Sequence, residues 1–261
     1  MQTRLKLAVE LARRAGEELR QGFGHVKHIR RKGAVDLVTE YDLRSEHLIL
    51  EAIRQAFPQD AILSEEAGEV SQGDICWMVD PLDGTTNFAH ALPMFCVSIA
   101  CTQGGVPALG VIYDPLREEL FQALAGGGAL LNGEALRVSE TNSLPEALLV
   151  TGFPYDIRTN PQNNLDHYSR LALLSLGVRR LGSAALDLAY VAAGRFDGYW
   201  ELRLNPWDWA AGALLVREAG GRVTDFRGSE EVLVGADSLV ATNGRVHGEL
   251  LAALSSPPAN P

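Results

Sequence analysis

Leu5, Ala8, Val9, Ala12, Ala15 and Leu19 recur at the spacing of one helical face, which predicts an amphipathic helix over residues 3–21. The same period returns from about Asp42 to Phe57. Leu43, Leu50, Ile53 and Phe57 are assigned to its inner side, and Pro58 stands just past its end. The period then changes. "AILSEE" and "ICWMVD" read as buried strands that each end in acid, and "FCVSIACTQ", "ALGVIYD" and "LFQALAG" follow as strands separated by Gly and Pro, the pattern of an antiparallel sheet. Residues 152–168, "GFPYDIRTNPQNNLDHY", are polar and rich in turn formers. They mark the boundary between an N-terminal unit, residues 1–150, and a C-terminal unit, residues 151–261. Beyond them strands and helices alternate. "GSAALDLAYVAAG" predicts a helix capped by Ser183 and stopped by Gly194. "NPWDWAAGALLVREAGG" predicts another, capped by Asn205, with Pro206 in its first turn and Gly220 and Gly221 at its end. "SSPPANP" reads as a loose tail.

Composition narrows the classes. With 261 residues, 46% of them apolar, the chain can bury a sizeable core. Its formal net charge of −10 argues against nucleic acid or an anionic membrane as partner, since both attract positive surfaces. A small phosphorylated substrate stays open, because a bound divalent cation reverses the local sign. The N-terminal segment is charged throughout and lacks the apolar run of a secretory signal, and no stretch is long enough to span a membrane. Cys76, Cys96 and Cys101 have no metal-ligand spacing, so three buried thiols in a reducing cytoplasm are expected.

The chemistry concentrates at "DPLDGTTNF", residues 80–88. Asp80 ends an apolar strand and Asp83 is assigned to the turn that follows. Gly84 permits a sharp reversal, and Thr85 begins a short helical segment. Two carboxylates three residues apart repel unless a cation lies between them, and free N–H groups behind them suit a phosphate. Glu65 and Glu66 end the preceding strand. If the two strands are neighbours, one of these glutamates reaches Asp80 and completes a hard-oxygen site for Mg²⁺. Without these neighbours, Asp-x-x-Asp would be read as a solvated loop or a helix cap. The Mg²⁺-binding strand of a P-loop NTPase is excluded, because no G-x-x-x-x-G-K-[ST] occurs. A haloacid-dehalogenase phosphatase would need its aspartates two apart, and here they are three apart.

"WMVDPLDGTTNF" resembles the signature of the inositol monophosphatase family of Mg²⁺-dependent, lithium-sensitive phosphatases. "KGAVDLVTEYD", "LSEEAG", "LGSAALDLAYVAAGRFDGYWE" and "PWDWAAGALLVREAGG" resemble its other motifs in the same order. The resemblance covers residues 1 to about 250. It implies a layered α/β fold of the five-layered αβαβα sugar-phosphatase type, usually a homodimer.

It also implies two to three Mg²⁺ ions. Glu65, Asp80 and the Leu82 carbonyl would hold one, Asp80, Asp83 and Asp208 a second, and Glu65 would help with a third. Gly84 and Thr85 would bind phosphate through N–H groups, and Thr85 paired with Asp42 would orient and deprotonate the attacking water. Substrate hydroxyls would meet Asp83, Gly182, Ser183, Ala184, Glu201 and Asp208. Lys32 and Asp36 would stand beside the site.

The implied reaction is hydrolysis of a small phosphate monoester, myo-inositol 1-phosphate first. Fructose 1,6-bisphosphate, histidinol phosphate and nucleotide 3′-phosphates are the alternatives. Glu201 favours a polyol, since a carboxylate accepts bonds from hydroxyls and repels a second phosphate. A non-catalytic metal-binding module is the alternative of another class.

Overall fold

Each half of the chain contributes one main sheet, the N-terminal half adds a two-stranded ladder of residues 29–31 and 37–39, and the helices lie between and outside the main sheets. The structure is a computed structural model that describes residues 1–33, 37–69, 73–230 and 237–255. Asp36 and residues 256–261 of the tail lie outside the described residues.

The N-terminal half runs α1 (Gln2–Gly22), β1 (Ile29–Arg31), β2 (Leu37–Thr39), α2 (Glu40–Ala56), β3 (Ala61–Ser64), β4 (Gly68–Glu69), β5 (Ile75–Asp83) and α3 (Thr85–Ala89). Then come β6 (Cys96–Gln103), β7 (Val106–Asp114), β8 (Glu119–Leu124), β9 (Ala129–Leu131) and β10 (Glu134–Ala135). The C-terminal half runs β11 (Leu148–Thr151), α4 (Leu165–Leu174), β12 (Gly177–Arg179), α5 (Ala184–Ala192), β13 (Gly198–Leu202), α6 (Pro206–Glu218), β14 (Arg222–Thr224), β15 (Ser238–Thr242) and α7 (His247–Ser255).

The eight-stranded sheet has the order β10-β9-β8-β7-β6-β5-β3-β4, and the five-stranded sheet β12-β11-β13-β15-β14. The first is antiparallel as the sequence predicts, except where β3 lies parallel to β5. That exception matters, because its register sets Ser64 opposite Val79 and so brings Glu65 beside Asp80.

Five layers follow. Helices α1 and α2 pack on one face of the large sheet, and α6 packs on its other face beside α5. The small sheet comes next, with α4 and α7 outside it. Three apolar cores fill these interfaces. One gathers Leu11, Leu19 and Ile53 against Trp77 and Val97, and the second sets α5 and α6 against both sheets. The third lies under α4 and α7 around Trp200. Gly110 of β7 lets α6 lie directly on the sheet, because a Cβ there would stand 2.8 Å from the Ala211 Cα. Among the described residues, no helix is long and apolar enough to cross a membrane.

The inner face of α2 differs from the prediction. Leu50 and Ile53 are buried, but Leu43 is exposed, and the inward positions one and two turns before Ile49 are taken by Ser45 and Glu46 and by Asp42. Those polar groups are buried because they have partners at the strand ends, which a hydrophobic pattern does not register. Two smaller corrections concern Cys76, which is only half buried, and Asp83. Strand β5 continues through an irregularity between Asp80 and Asp83, and Asp83 is paired with Cys96 as the last residue of the strand rather than lying in a turn.

Candidate active site

Asp80, Asp83 and Asp208 arrive at the cleft from β5 and from the first turn of α6, and each is oriented by a backbone donor. Leu82 N donates to Asp80 Oδ1 at 3.0 Å, Ala185 N to Asp83 Oδ2 at 2.7 Å, and Asn205 N to Asp208 Oδ2 at 2.8 Å. The last of these belongs to a capping box in which Asn205 and Asp208 serve each other, as the Asn-Pro-Trp-Asp sequence allows. Each aspartate thereby commits one oxygen to the fold and keeps the other for the cleft. Glu65 follows β3, where its N–H bonds Val79 O, and its side chain comes within hydrogen-bond reach of Asp80. The strand-neighbour condition set by the sequence is met.

These four carboxylates are out of balance electrostatically. Burial pushes Asp80 well above the carboxylate range, and Glu65, Asp83 and Asp208 push it further. Asp208 is raised well above it too, by burial and then by Asp83 and Glu65. Burial also raises Asp83 and Glu65. Among the described residues, only one ion pair reaches the four acids, Lys32 Nζ to Glu65 at 3.1 Å. Lys32 also pairs with Glu66, whose carboxyl burial lifts to about 7. Burial pulls the Lys32 ammonium down, but the two glutamates outweigh it and hold it above its ordinary value.

A divalent cation fits this set. The donors are hard oxygens, their charge is met within the described residues by an ion pair only at Glu65, and their repulsion falls when a cation enters. Among the described residues, no group of three or more His, Cys, Asp or Glu side chains is arranged to hold a metal ion by itself. Mg²⁺, which retains waters and shares substrate oxygens, would need fewer protein ligands at once than a structural Zn²⁺.

Thr85 heads α3. Its Oγ1 donates to Asp42 Oδ1 at 2.9 Å, with Leu82 O at 3.0 Å as competing acceptor. Thr39 N and Oγ1 hold the other oxygen, Asp42 Oδ2, at 2.8 and 2.5 Å. Burial raises Asp42 despite these donors. Gly84 takes φ +95°, and a Cβ there would stand 2.8 Å from Met94 O, so the position admits only glycine. The Gly84 and Thr85 N–H groups stand where a helix has no acceptor of its own.

The Gly182-Ser183-Ala184 turn lines the same cleft, but the Ser183 hydroxyl is given to Asp83 Oδ2 at 2.6 Å. What this turn still offers a ligand is backbone. Glu201 lines the cleft from β13. It accepts the Tyr199 hydroxyl at 2.6 Å, and burial lifts its carboxyl to about 7.

Two residues that sequence reasoning did not select belong to this site. Glu46 Oε1 accepts from Ser64 Oγ and, at 3.0 Å each, from Glu66 N and Ala67 N, and so ties down the segment carrying Glu65. Between Asp42 and Glu46, Ser45 Oγ donates to Pro81 O at 2.8 Å. Three consecutive inward positions of α2 thus hold three strand ends. The signal available was an acid four residues after Asp42, on the same helical face. The second is Asp187 in the first turn of α5, buried and facing the cleft.

Known proteins resemble the chain along nearly its whole length. A model described as "Inositol monophosphatase family" matches residues 1–257. An inositol-1-monophosphatase of Synechocystis sp. is 49% identical over 99% of this chain and 91% of its own. A protein of Escherichia coli K12 named Nus factor SuhB is 44% identical over 97% of this chain and 96% of its own. Among solved structures, an inositol monophosphatase from Anabaena superposes with a TM-score of 0.90 at 47% identity, covering 98% of this chain and 97% of that one.

Proposed function

Because the chain belongs to the inositol monophosphatase family, we propose that it hydrolyses a myo-inositol monophosphate with two to three Mg²⁺ ions at the carboxylate cluster. The observation that carries the reading is the juxtaposition of the buried Asp80 and Asp83 and the partly buried Asp208 and Glu65, only the last of them ion-paired among the described residues, with the 2.9 Å Thr85–Asp42 bond. Glu65, Asp80, Asp83, Asp208 and the Leu82 carbonyl are the residues that would hold the cations. Bound Mg²⁺ supplies Lewis acidity toward phosphate oxygens and water.

The remaining work falls to the chain's own groups. Gly84 and Thr85 present N–H groups to the phosphate, where no helical acceptor competes. Asp42 Oδ1 takes the Thr85 hydroxyl proton, which leaves lone pairs on Thr85 Oγ1 to accept the proton of the attacking water. Leu82 O competes for that hydroxyl, so engaging the carbonyl elsewhere directs the proton wholly to Asp42. The two Thr39 donors keep Asp42 in register while burial keeps it basic. Glu201, Asp208 and the Gly182-Ser183-Ala184 backbone face the polyol, and the Glu201 carboxylate disfavours a second phosphate.

A homodimer is part of the same reading. Leu165, Leu173, Leu174 and Leu176 are exposed in and beside α4, with Leu173 at 88%, and sedimentation tests whether a second copy covers them. Lithium inhibition and a cytoplasmic location belong to it as well. The direct test is Mg²⁺-dependent release of phosphate from myo-inositol 1-phosphate. Asp80→Asn and Asp83→Asn should fold, lose activity and lose the stabilisation that Mg²⁺ gives the parent, about 2.7 kcal/mol at a hundredfold excess over Kd. Undiminished turnover in either variant would sink the metal-site assignment.

A further inference from the structure

Asp187 is an acid that the proposed reaction leaves unemployed. It is 1% exposed, and its Oδ1 is buried without a hydrogen-bond partner. It nevertheless forms part of the cleft wall, beside Glu201, Arg180 and Asp83. A buried carboxyl with no partner is costly, and native structures keep few of them. Its place in the first turn of α5 gains something from the helix dipole, but an exposed acid would gain as much without the loss of hydration. The cleft wall around it carries the acids Glu201 and Asp83 and the cation Arg180, and its unpartnered oxygen is left able to accept a hydrogen bond. Such an oxygen suits a ligand hydroxyl, which can donate to it.

We propose that Asp187 is a specificity-determining residue whose carboxyl hydrogen-bonds a hydroxyl of the bound substrate. With Glu201 on the same wall, it makes the cleft selective for phosphate esters of polyhydroxylated alcohols. The inference rests on the phosphatase reading above and names the part of the substrate that the cleft recognises. A substrate without that hydroxyl leaves Asp187 as unsatisfied as it is in the free protein, so it gains nothing from the residue.

The test compares myo-inositol 1-phosphate with phenyl phosphate, which has no hydroxyl to offer. Asp187→Leu removes the hydrogen-bonding group and fills its space, and Asp187→Ala serves if the larger residue disturbs folding. Either variant should raise KM for the inositol ester about tenfold or more, with kcat nearly unchanged and kcat/KM for phenyl phosphate within about twofold of the parent. Asp187→Asn, which keeps a donor and an acceptor, should recover most of the loss. The unfolding midpoint of the leucine variant should equal or exceed that of the parent, because an unpaired buried carboxyl is gone. Equal losses on both esters, or no loss on either, would overturn the inference. Failure of the inositol reading registers separately, as a parent protein that turns over phenyl phosphate but not the inositol ester.

Discussion

Replacing Glu201 by glutamine should make the protein more stable above neutrality and a poorer phosphatase. The side chain is 7% exposed on β13, with Tyr199 Oη donating to Oε2 at 2.6 Å and the carboxylate so close to Gly152 that a Cβ there would lie 2.2 Å from it. Burial raises its carboxyl from the ordinary 4.5 to about 7. At 1.36 kcal/mol per pH unit, the difference amounts to about 3 kcal/mol. The sign follows from proton counting. Between pH 4.5 and 7 the native state holds a proton that the unfolded chain has released, so stability falls as pH rises through that window. Above pH 7 the full cost is present, and below 4.5 it is absent. Glutamine keeps an oxygen for Tyr199 and does not titrate. The stability gap between Glu201→Gln and the parent should therefore open from near zero at acid pH to about 3 kcal/mol at pH 8, several degrees in unfolding temperature for a chain of this size. Urea unfolding at a series of pH values in EDTA measures it directly, and the same variant should show a raised KM for the inositol ester. A gap that does not change with pH, or a variant less stable at pH 8, would refute the assignment of Glu201 as a destabilising buried acid kept for the substrate.

Two further substitutions separate catalysis from architecture. Thr85→Val removes the hydroxyl that links Asp42 to the cleft and should lower kcat by about 10²–10⁴ with little change in the Mg²⁺ requirement, as measured by initial rates; retention of full kcat would exclude Thr85 from the proton path. Gly110→Val places side-chain atoms against the Ala211 backbone, forcing α6 away from the large sheet, and should destabilise by about 1–3 kcal/mol or more in denaturant titrations.

The legible parts of this protein are those whose meaning is local. "DPLDGTTNF" announces a strand end, a glycine-only reversal and a helix start within nine residues, and the Asn205–Asp208 cap is likewise contained in four. The parallel pairing of β3 with β5 was conditional in the sequence, because neighbouring strands are chosen by the sheet and not by either strand alone. The α2 face was misread at Leu43 because apolar periodicity treats Asp42 and Glu46 as outward, whereas their partners Thr85 and Ser64 come from distant segments. Asp187 was invisible for a related reason. A first-turn acid looks like ordinary dipole complementation until the fold buries it, and only the packed structure reveals that nothing answers it.

The stripe of Asp42, Ser45 and Glu46 acts like the rail of an optical bench. Three components that must keep fixed spacings, the Thr85 hydroxyl, the Pro81 carbonyl and the segment bearing Glu65, are mounted on successive positions of one stiff rod. A small displacement of that rod carries all three together and leaves their mutual distances unaltered. Asp208 and Glu201 are mounted on α6 and β13, in the two layers beyond the large sheet, and one joint toward them is Asp83 with its bonds to Ser183 and Ala185 at the head of α5. Misalignment between these mounts is therefore felt at Asp83, where the proposed cation and substrate would also meet.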